Sequence, residues 1–305
     1  MLDLDALVAA VRSAPGLLGK RDLQLVRRLE VDGDDAALVP HKDGFIVTCG
    51  EAMSPPFLKA DPFAAGAAAV VTNVSDVRAM GGRPLAIVDM LISPDKEHAE
   101  TVLDGIAFAS EKLGVPVVGG HLTLGHEPAL SASCTGFATR PLRAANAKPG
   151  DALVAAFATE GRWMSDTQPF WTSLYDRDVK ADGEALVEIA EQGLAHAARD
   201  VSMPGIAGSL LQMIEGAGCG ANLHLEAIPK PHGAPLERWL LTFPSFGFLL
   251  ATTQPDETCA AFTNRGLQAA QCGTFDDTHT LKLNGRIAWD LREQPLTGLS
   301  PSAGA

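Results

Sequence analysis

Between Asp61 and Gly82 the chain reads DPFAAGAAAVVTNVSDVRAMGG, and this stretch constrains the fold more than any other. Asp61 is placed to cap the first free amides, Pro62 suits the first helical position, and Gly81-Gly82 offer a left-handed exit. The run between them is almost uncharged, so it predicts a helix buried on most sides. Asn73, Ser75 and Asp76 interrupt it, and Asn73 and Asp76, three residues apart, share a face. A buried carboxylate needs a cation, a donor network or water beside it, because an unpaired one costs on the order of several kcal/mol. Asp76 is therefore either a structural carboxylate capping a neighbouring loop or part of a metal or phosphate-linked site at the helix's end.

The length, 305 residues, allows two domains of ordinary size. With 20% charged and 46% hydrophobic residues the chain reads as globular rather than disordered. A net charge of -13 argues against nonspecific nucleic-acid binding and against an anionic membrane surface. An anionic nucleotide stays possible, since backbone amides or a divalent cation can outweigh the global field locally. No uncharged run reaches transmembrane length, and the N-terminal MLDLDALVAAVRSAPG carries acids where a signal peptide carries Lys or Arg. The expectation is a cytoplasmic protein. Cys49, Cys134, Cys219, Cys259 and Cys272 are odd in number, widely spaced and without a CxxC pair, so reduced thiols are expected and zinc is not.

In chain order, residues 3–12 predict a short amphipathic helix, and a second apolar stretch lies near Asp22 to Leu29. Gly33 with its flanking aspartates marks a turn before an apolar strand, and His41-Lys42-Asp43-Gly44 a hairpin in which Asp-Gly is the strong element. A second strand, Phe45 to Thr48, ends at Cys49-Gly50-Glu51, and a Pro-bearing loop leads to the central helix. Pro84 to Ile92 predict a strand buried on both faces. Ser93-Pro94 start a helix that runs to Gly114, Val115 to Val118 form a strand stopping at Gly119-Gly120-His121, and Ala129 to Thr139 form another. This order implies an α+β domain with helices on one side of a mixed sheet.

Lys148-Pro149-Gly150-Asp151 is the best boundary, giving domains 1–147 and 148–292 and a loosely held tail 293–305. The second half repeats the alternation. Its helices are expected at Asp182 to Arg199, from Ser202 or Met203 to Glu215, and at Pro255 to Asn264. Its strands are expected at Ala152 to Ala158, Asn222 to Leu225, Gly247 to Ala251 and Leu267 to Thr274. Glu160 to Asp178, with two of the four tryptophans and the only tyrosine, fits neither period and reads as a functional loop or an interface. Met203, Ala207, Leu210 and Leu211 read as a core stripe, Cys49 as a small buried residue, and Lys59, Arg78 and Arg83 as solvated charges before phosphate partners.

Gly33-Asp34-Asp35-Ala36-Ala37, Asn73-Val74-Ser75-Asp76 ending in Ala79-Met80-Gly81-Gly82-Arg83-Pro84, Gly119-Gly120 and Lys148-Pro149-Gly150-Asp151 stand in a telling order. With Asp200-Val201-Ser202-Met203-Pro204-Gly205-Ile206, this pattern resembles the aminoimidazole ribonucleotide (AIR) synthase, or PurM-like, superfamily over about residues 30 to 275. That superfamily includes selenophosphate synthetase, thiamine-monophosphate kinase, formylglycinamide ribonucleotide amidotransferase and the hydrogenase maturation dehydratase. The pattern is most similar to the AIR synthase-related bacterial proteins, some of which accompany nitrilase-type enzymes.

The resemblance implies a two-domain α+β architecture, each half of one kind, that forms a homodimer through its N-terminal sheets. It implies ATP in a groove between the domains and the dimer seam, with Mg²⁺ bridging the triphosphate. Asp34, Asp35 and Asp76 match the acidic ligands, and Gly33, Asn73, Gly119 and Gly120 match nucleotide contacts, glycine letting backbone amides approach phosphate. Oxygen ligands suit Mg²⁺. Two departures stand out. Thr48-Cys49-Gly50-Glu51 replaces the usual Thr-Thr-Asp, leaving Glu51 as the substitute ligand. Gly119-Gly120-His121 replaces Gly-Gly-Asp, exchanging a hard oxygen for a softer, titratable group. His121 either bonds a neighbouring loop or, with Asp200, faces the substrate, while Asp200 is otherwise a helix N-terminal charge. The function implied is ATP-dependent activation of an oxygen of a small substrate (amide, carboxylate or phosphate). The alternative is a degenerate nucleotide-binding or scaffold partner in an enzyme complex.

Overall fold

The computed structural model describes residues 3–29, 31–166 and 168–299. The first half opens with α1 (Leu4–Ser13), α2 (Pro15–Gly19) and a 3-10 helix over Lys20–Leu29. Then follow β1 (Ala37–His41), β2 (Gly44–Ala52), α3 (Pro55–Ala60), α4 (Pro62–Ala79), β3 (Arg83–Ser93), α5 (Lys96–Leu113), β4 (Val117–Leu124) and β5 (Ala129–Ala138). The central helix forms as its ends dictate: Asp61 accepts from the Ala64 amide at 3.3 Å, and Gly81 leaves at φ +70°. Every residue from Ala64 to Ala79 is buried. Among the described residues no helix is long and apolar enough to cross a membrane.

The five strands form one mixed sheet, β1-β2-β5-β3-β4, in which only β3 and β4 run parallel, joined through α5. Helices α4 and α5 lie on one face. The expectation of a β3 buried on both sides is corrected, because no described residue covers the other face. Ile87, Asp89 and Leu91 point inward, while Val88, Met90 and Ile92 alternate outward. Together with Leu85, Val118, Leu122 and Leu124 they are between 39 and 64% exposed.

Several local expectations shift. In the β1–β2 hairpin the left-handed residue is Lys42, at φ 47°, rather than the Asp-Gly pair. The Pro-bearing loop folds as α3, and β2 continues through Glu51 to Ala52. Asp95, not Ser93, caps α5 by accepting from the His98 amide at 2.8 Å, which leaves the Ser93 hydroxyl for the His98 ring. The Gly119-Gly120-His121 segment lies inside the edge strand β4 instead of ending it.

The second half contains β6 (Ala152–Phe157), β7 (Arg162–Trp163), β8 (Phe170–Thr172), α6 (Val179–Gln192), β9 (Ala197–Asp200), α7 (Gly205–Ala217) and β10 (Gly220–Leu223). It continues with α8 (Leu236–Leu240), β11 (Phe243–Pro244), β12 (Gly247–Thr252), α9 (Pro255–Thr263), β13 (Gln268–Asp276), β14 (Thr280–Leu283) and β15 (Arg286–Asp290). Seven strands form a sheet in the order β15-β14-β10-β13-β6-β12-β9. Both its faces are covered. Val154 and Ala156 meet α6 and α9, whereas Leu153, Ala155 and Phe157 meet α7 and α1. Leu7, Val8, Val11 and Leu17, from the start of the chain, thus belong to the core of this second sheet.

The helix expected through Arg199 stops at Gly193, left-handed at φ 69°, and Ala197–Asp200 instead pairs with β12. The tryptophan-rich stretch is packed rather than open. Its strands β7 and β8 join β11, Phe170 stacks on Phe243 with centroids 4.7 Å apart, and Trp171 meets Trp163 and Trp239 edge-on. Thr167 of that stretch lies outside the described residues. Met203 is exposed, so it leaves the core stripe, while Arg78 is buried. The tail expected to be loose is tied down through Leu299: Glu215 accepts from the amides of Leu296, Thr297 and Gly298. The tail's last residues, 300–305, lie outside the described residues.

Candidate active site

Three carboxylates meet where the two halves adjoin. Asp35 stands just before β1, Asp76 lies in the last turns of α4, and Asp200 ends β9. One oxygen from each lies within 4.8 Å of the other two. The residues are forced together by elements whose own burial is secured by apolar neighbours, with Asp76 and Asp200 only 5 and 3% exposed. Such a cluster runs against the desolvation rule unless something neutralises it.

Part of the neutralisation is internal. The Arg199 guanidinium pairs with Asp35 at 3.0 Å, and the Asp200 amide donates to the second Asp35 oxygen at 2.9 Å. Arg199 also donates to the Gly33 carbonyl at 3.0 Å, which fixes the acidic turn against β9. Asp76 and Asp200 form no ion pair with any described residue, and Asp76 Oδ2 is buried without a hydrogen-bond partner. Lys20 faces the cluster from the 3-10 helix and tempers the charge on all three acids. Burial raises the Asp35, Asp76 and Asp200 carboxyls above their usual range; repulsion from neighbouring acids adds to it, from Asp200 at Asp76, from Asp35 at Asp200 and from Glu51 at all three.

A pocket of about 200 Å³ opens beside the trio. Glu51 from β2 lines it, as do Gly33 and Asp34. Asp34 is engaged elsewhere: its oxygens accept from the amides of Asp35 and Ala144, and burial, followed by repulsion from Asp35, lifts its carboxyl to about 7. Asn73 is fully buried one turn from Asp76, donates to the Ala69 carbonyl at 2.8 Å and receives the Cys49 thiol, so it does not line the pocket. Burial, with Asp76 behind it, pushes that thiol up and keeps it protonated.

Gly119, Gly120 and His121 are not brought to this pocket. They sit exposed on β4, and Gly120 packs so closely on Asp89 of β3 that a Cβ there would strike its carboxylate. Sequence reasoning missed Lys20, Arg199 and Gln212. The last lines the pocket from α7, and its Oε1 is buried with no partner. The one available signal was charge or amide inside otherwise apolar runs, as in Ala197-Ala198-Arg199-Asp200 and Leu210-Leu211-Gln212-Met213.

Chemically, the site brings together hard carboxylate oxygens, one from each of three acids, within 4.8 Å of one another. That donor set fits Mg²⁺ and lacks the sulfur and imidazole groups that favour zinc.

The comparisons with known proteins agree with this architecture. Residues 33–138 match the family model "AIR synthase related protein, N-terminal domain", and residues 176–285 match "AIR synthase related protein, C-terminal domain". The chain is 36% identical over 318 residues to "Uncharacterized protein sll0787" of Synechocystis sp., covering 97% of this chain and 99% of that protein. It is 29% identical over 221 residues to a selenide, water dikinase of Myxococcus xanthus, covering 64% of this chain and 59% of the relative. Among solved structures, T. maritima PurL complexed with FGAR superposes with a TM-score of 0.77 at 20% identity, over 100% of this chain and 55% of that one. AaThiL complexed with AMPPCP and TMP gives 0.68 at 20% identity, over 86% and 91%. This chain therefore spans about half the length of PurL and nearly all of AaThiL. From the two matched family models and a relative alike from end to end, the chain belongs to the AIR synthase related protein family.

Proposed function

We propose that the acidic centre binds ATP with Mg²⁺ and that the protein is an enzyme activating an oxygen of a small amide, carboxylate or phosphate substrate by phosphoryl transfer. The observation that carries this reading is the buried Asp76 carboxylate, its Oδ2 without a donor, clustered with those of Asp35 and Asp200. Three clustered acids, only one of them in an ion pair, form an arrangement whose charge a divalent ion can offset. Support comes also from relatives: one is by name a dikinase, and solved structures of PurL and AaThiL hold ATP, ADP or AMPPCP.

In this reading Asp35, Asp76 and Asp200 would hold Mg²⁺, with Glu51 lining the same pocket. The ion, when bound, neutralises triphosphate charge. Arg199 pairs with Asp35 and orients it, Lys20 supplies positive charge at the pocket's edge, and Gln212 offers an oriented amide. The exposed apolar face of the first sheet is covered by a second copy of the chain, giving a homodimer that shields β4 and His121.

The decisive test is calorimetric titration of ATP with Mg²⁺ into the protein and into Asp76→Asn, an exchange of nearly equal volume. Binding to the variant should weaken by about tenfold or more, as expected for a ligand when even indirect supports of a metal are worth that much. Unchanged affinity in a folded variant would reject the assignment.

A further inference from the structure

Beside the acidic pocket lies a second, larger cavity of about 480 Å³, within the range of about 300–1,000 Å³ common to small-molecule sites. The two spaces are neighbours through the chain itself. Ser202 lines the first and Met203 the second, and consecutive Cα atoms stand about 3.8 Å apart. Likewise Glu51 lines the first while Ser54, three residues on, lines the second. Among the described residues no charged side chain lines the larger cavity. Its walls include Met203, Pro204, Leu241, Phe243 and the Ala14-Pro15-Gly16 segment at the start of α2.

These walls are close-packed. A Cβ on Gly16 would collide with the Met203 carbonyl, and Phe243 is held by its stack on Phe170. Two polar side chains line it, and both are unspent. Ser54 precedes α3 without capping it through its hydroxyl, and the Gln168 side chain has no hydrogen-bond partner among the described residues. An apolar space with two free polar groups beside a charged reaction centre has the composition of a binding site for a neutral molecule, because a phosphate there would meet no cation.

We propose that this cavity is the acceptor subsite, and that the acceptor is a small amide or carboxylate whose remainder is an uncharged alkyl or aryl group. The proposal rests on the reading of the acidic centre as the ATP site. The apolar part fills the space between Met203 and Leu241, and Ser54 and Gln168 orient the polar end toward Glu51 and Asp200.

The test titrates the full chain with acetamide, hexanamide, phenylacetamide and ribose 5-phosphate, each with and without AMPPCP and Mg²⁺. Hexanamide and phenylacetamide should bind about tenfold or more tightly than acetamide or ribose 5-phosphate, since apolar burial supplies the difference. Leu241→Trp, which fills the space, should weaken the two larger amides by about tenfold or more. Met203→Arg, at the exposed rim, should do the same and shift preference toward ribose 5-phosphate, so the pair remains informative if one variant misfolds. Tighter binding of ribose 5-phosphate by the unmodified protein, absence of amide binding, or amide affinity untouched in a folded variant overturns the proposal. AMPPCP is titrated separately. Its failure to bind would reject the nucleotide reading, while the amide series without nucleotide still decides the cavity.

Discussion

Asp34 illustrates how much of the site is decided by single side chains. Its carboxyl, at about 7, keeps in the folded chain a proton that the unfolded chain releases near 4. The stability this provides is complete at acid pH below the unfolded value and disappears as pH rises through the folded one. Asp35, Asp76 and Asp200 are shifted the same way, so their contributions have the same sign. The melting temperature without divalent cations is therefore expected to fall between pH 5 and pH 8, and Asp34→Asn to flatten that slope. Added Mg²⁺ is expected to raise melting more at pH 8, where it no longer competes with protons. Scanning calorimetry at several pH values checks both, and a slope of opposite sign would contradict the burial argument. At this scale Asp76 stood out because an acid inside an apolar run demands explanation, whereas Asp35 and Asp200 were reached through the family resemblance. Lys20 and Arg199 were not legible, because their partners lie far along the chain, and a charge inside Ala197-Ala198-Arg199-Asp200 marks a position without naming what it pairs with.

Helices α4 and α5 pack at a distance set by two glycines. A Cβ on Gly66 would collide with the Val102 carbonyl, and one on Gly105 with that of Phe63. Gly66→Ala gains about 1 kcal/mol of helix propensity. Overpacking of this kind costs roughly 1–3 kcal/mol or more, and two backbones in contact cannot yield as side chains do. Net destabilisation is expected, read as a lower urea midpoint with unchanged slope, and a stabilised variant would show that the helices can separate. Elements with strong punctuation, such as α4 between Asp61-Pro62 and Gly81-Gly82, were legible to within a residue or two. β9 was not, since Ala-Ala-Arg-Asp suits a helix by propensity and becomes a strand only by pairing with β12. β14 and β15 escaped notice for a related reason: one is short and polar at Lys282, and their register shifts between Leu281 and Lys282.

For the whole molecule, the two-sheet α+β plan was legible from the order of strands and helices, while the packing of the chain's first segment on its last sheet was not. Amphipathic periodicity tells that α1 has an apolar face and not which core receives it. The open face of the first sheet sets another expectation at this scale. Met90→Glu together with Ile92→Glu, both on outward positions of β3, should convert a dimer to a monomer in sedimentation velocity, with little change in far-ultraviolet circular dichroism. A chain that sediments as a monomer without substitution would remove the homodimer from the proposed function. The placement of the acidic trio has a mechanical side as well. Asp76 rides on the first half and Asp200 on the second, with Asp35 in the segment that links the opening helices to β1. A ligand held by all three would tie the two halves together, so its binding is expected to fasten their junction as well as fill the site.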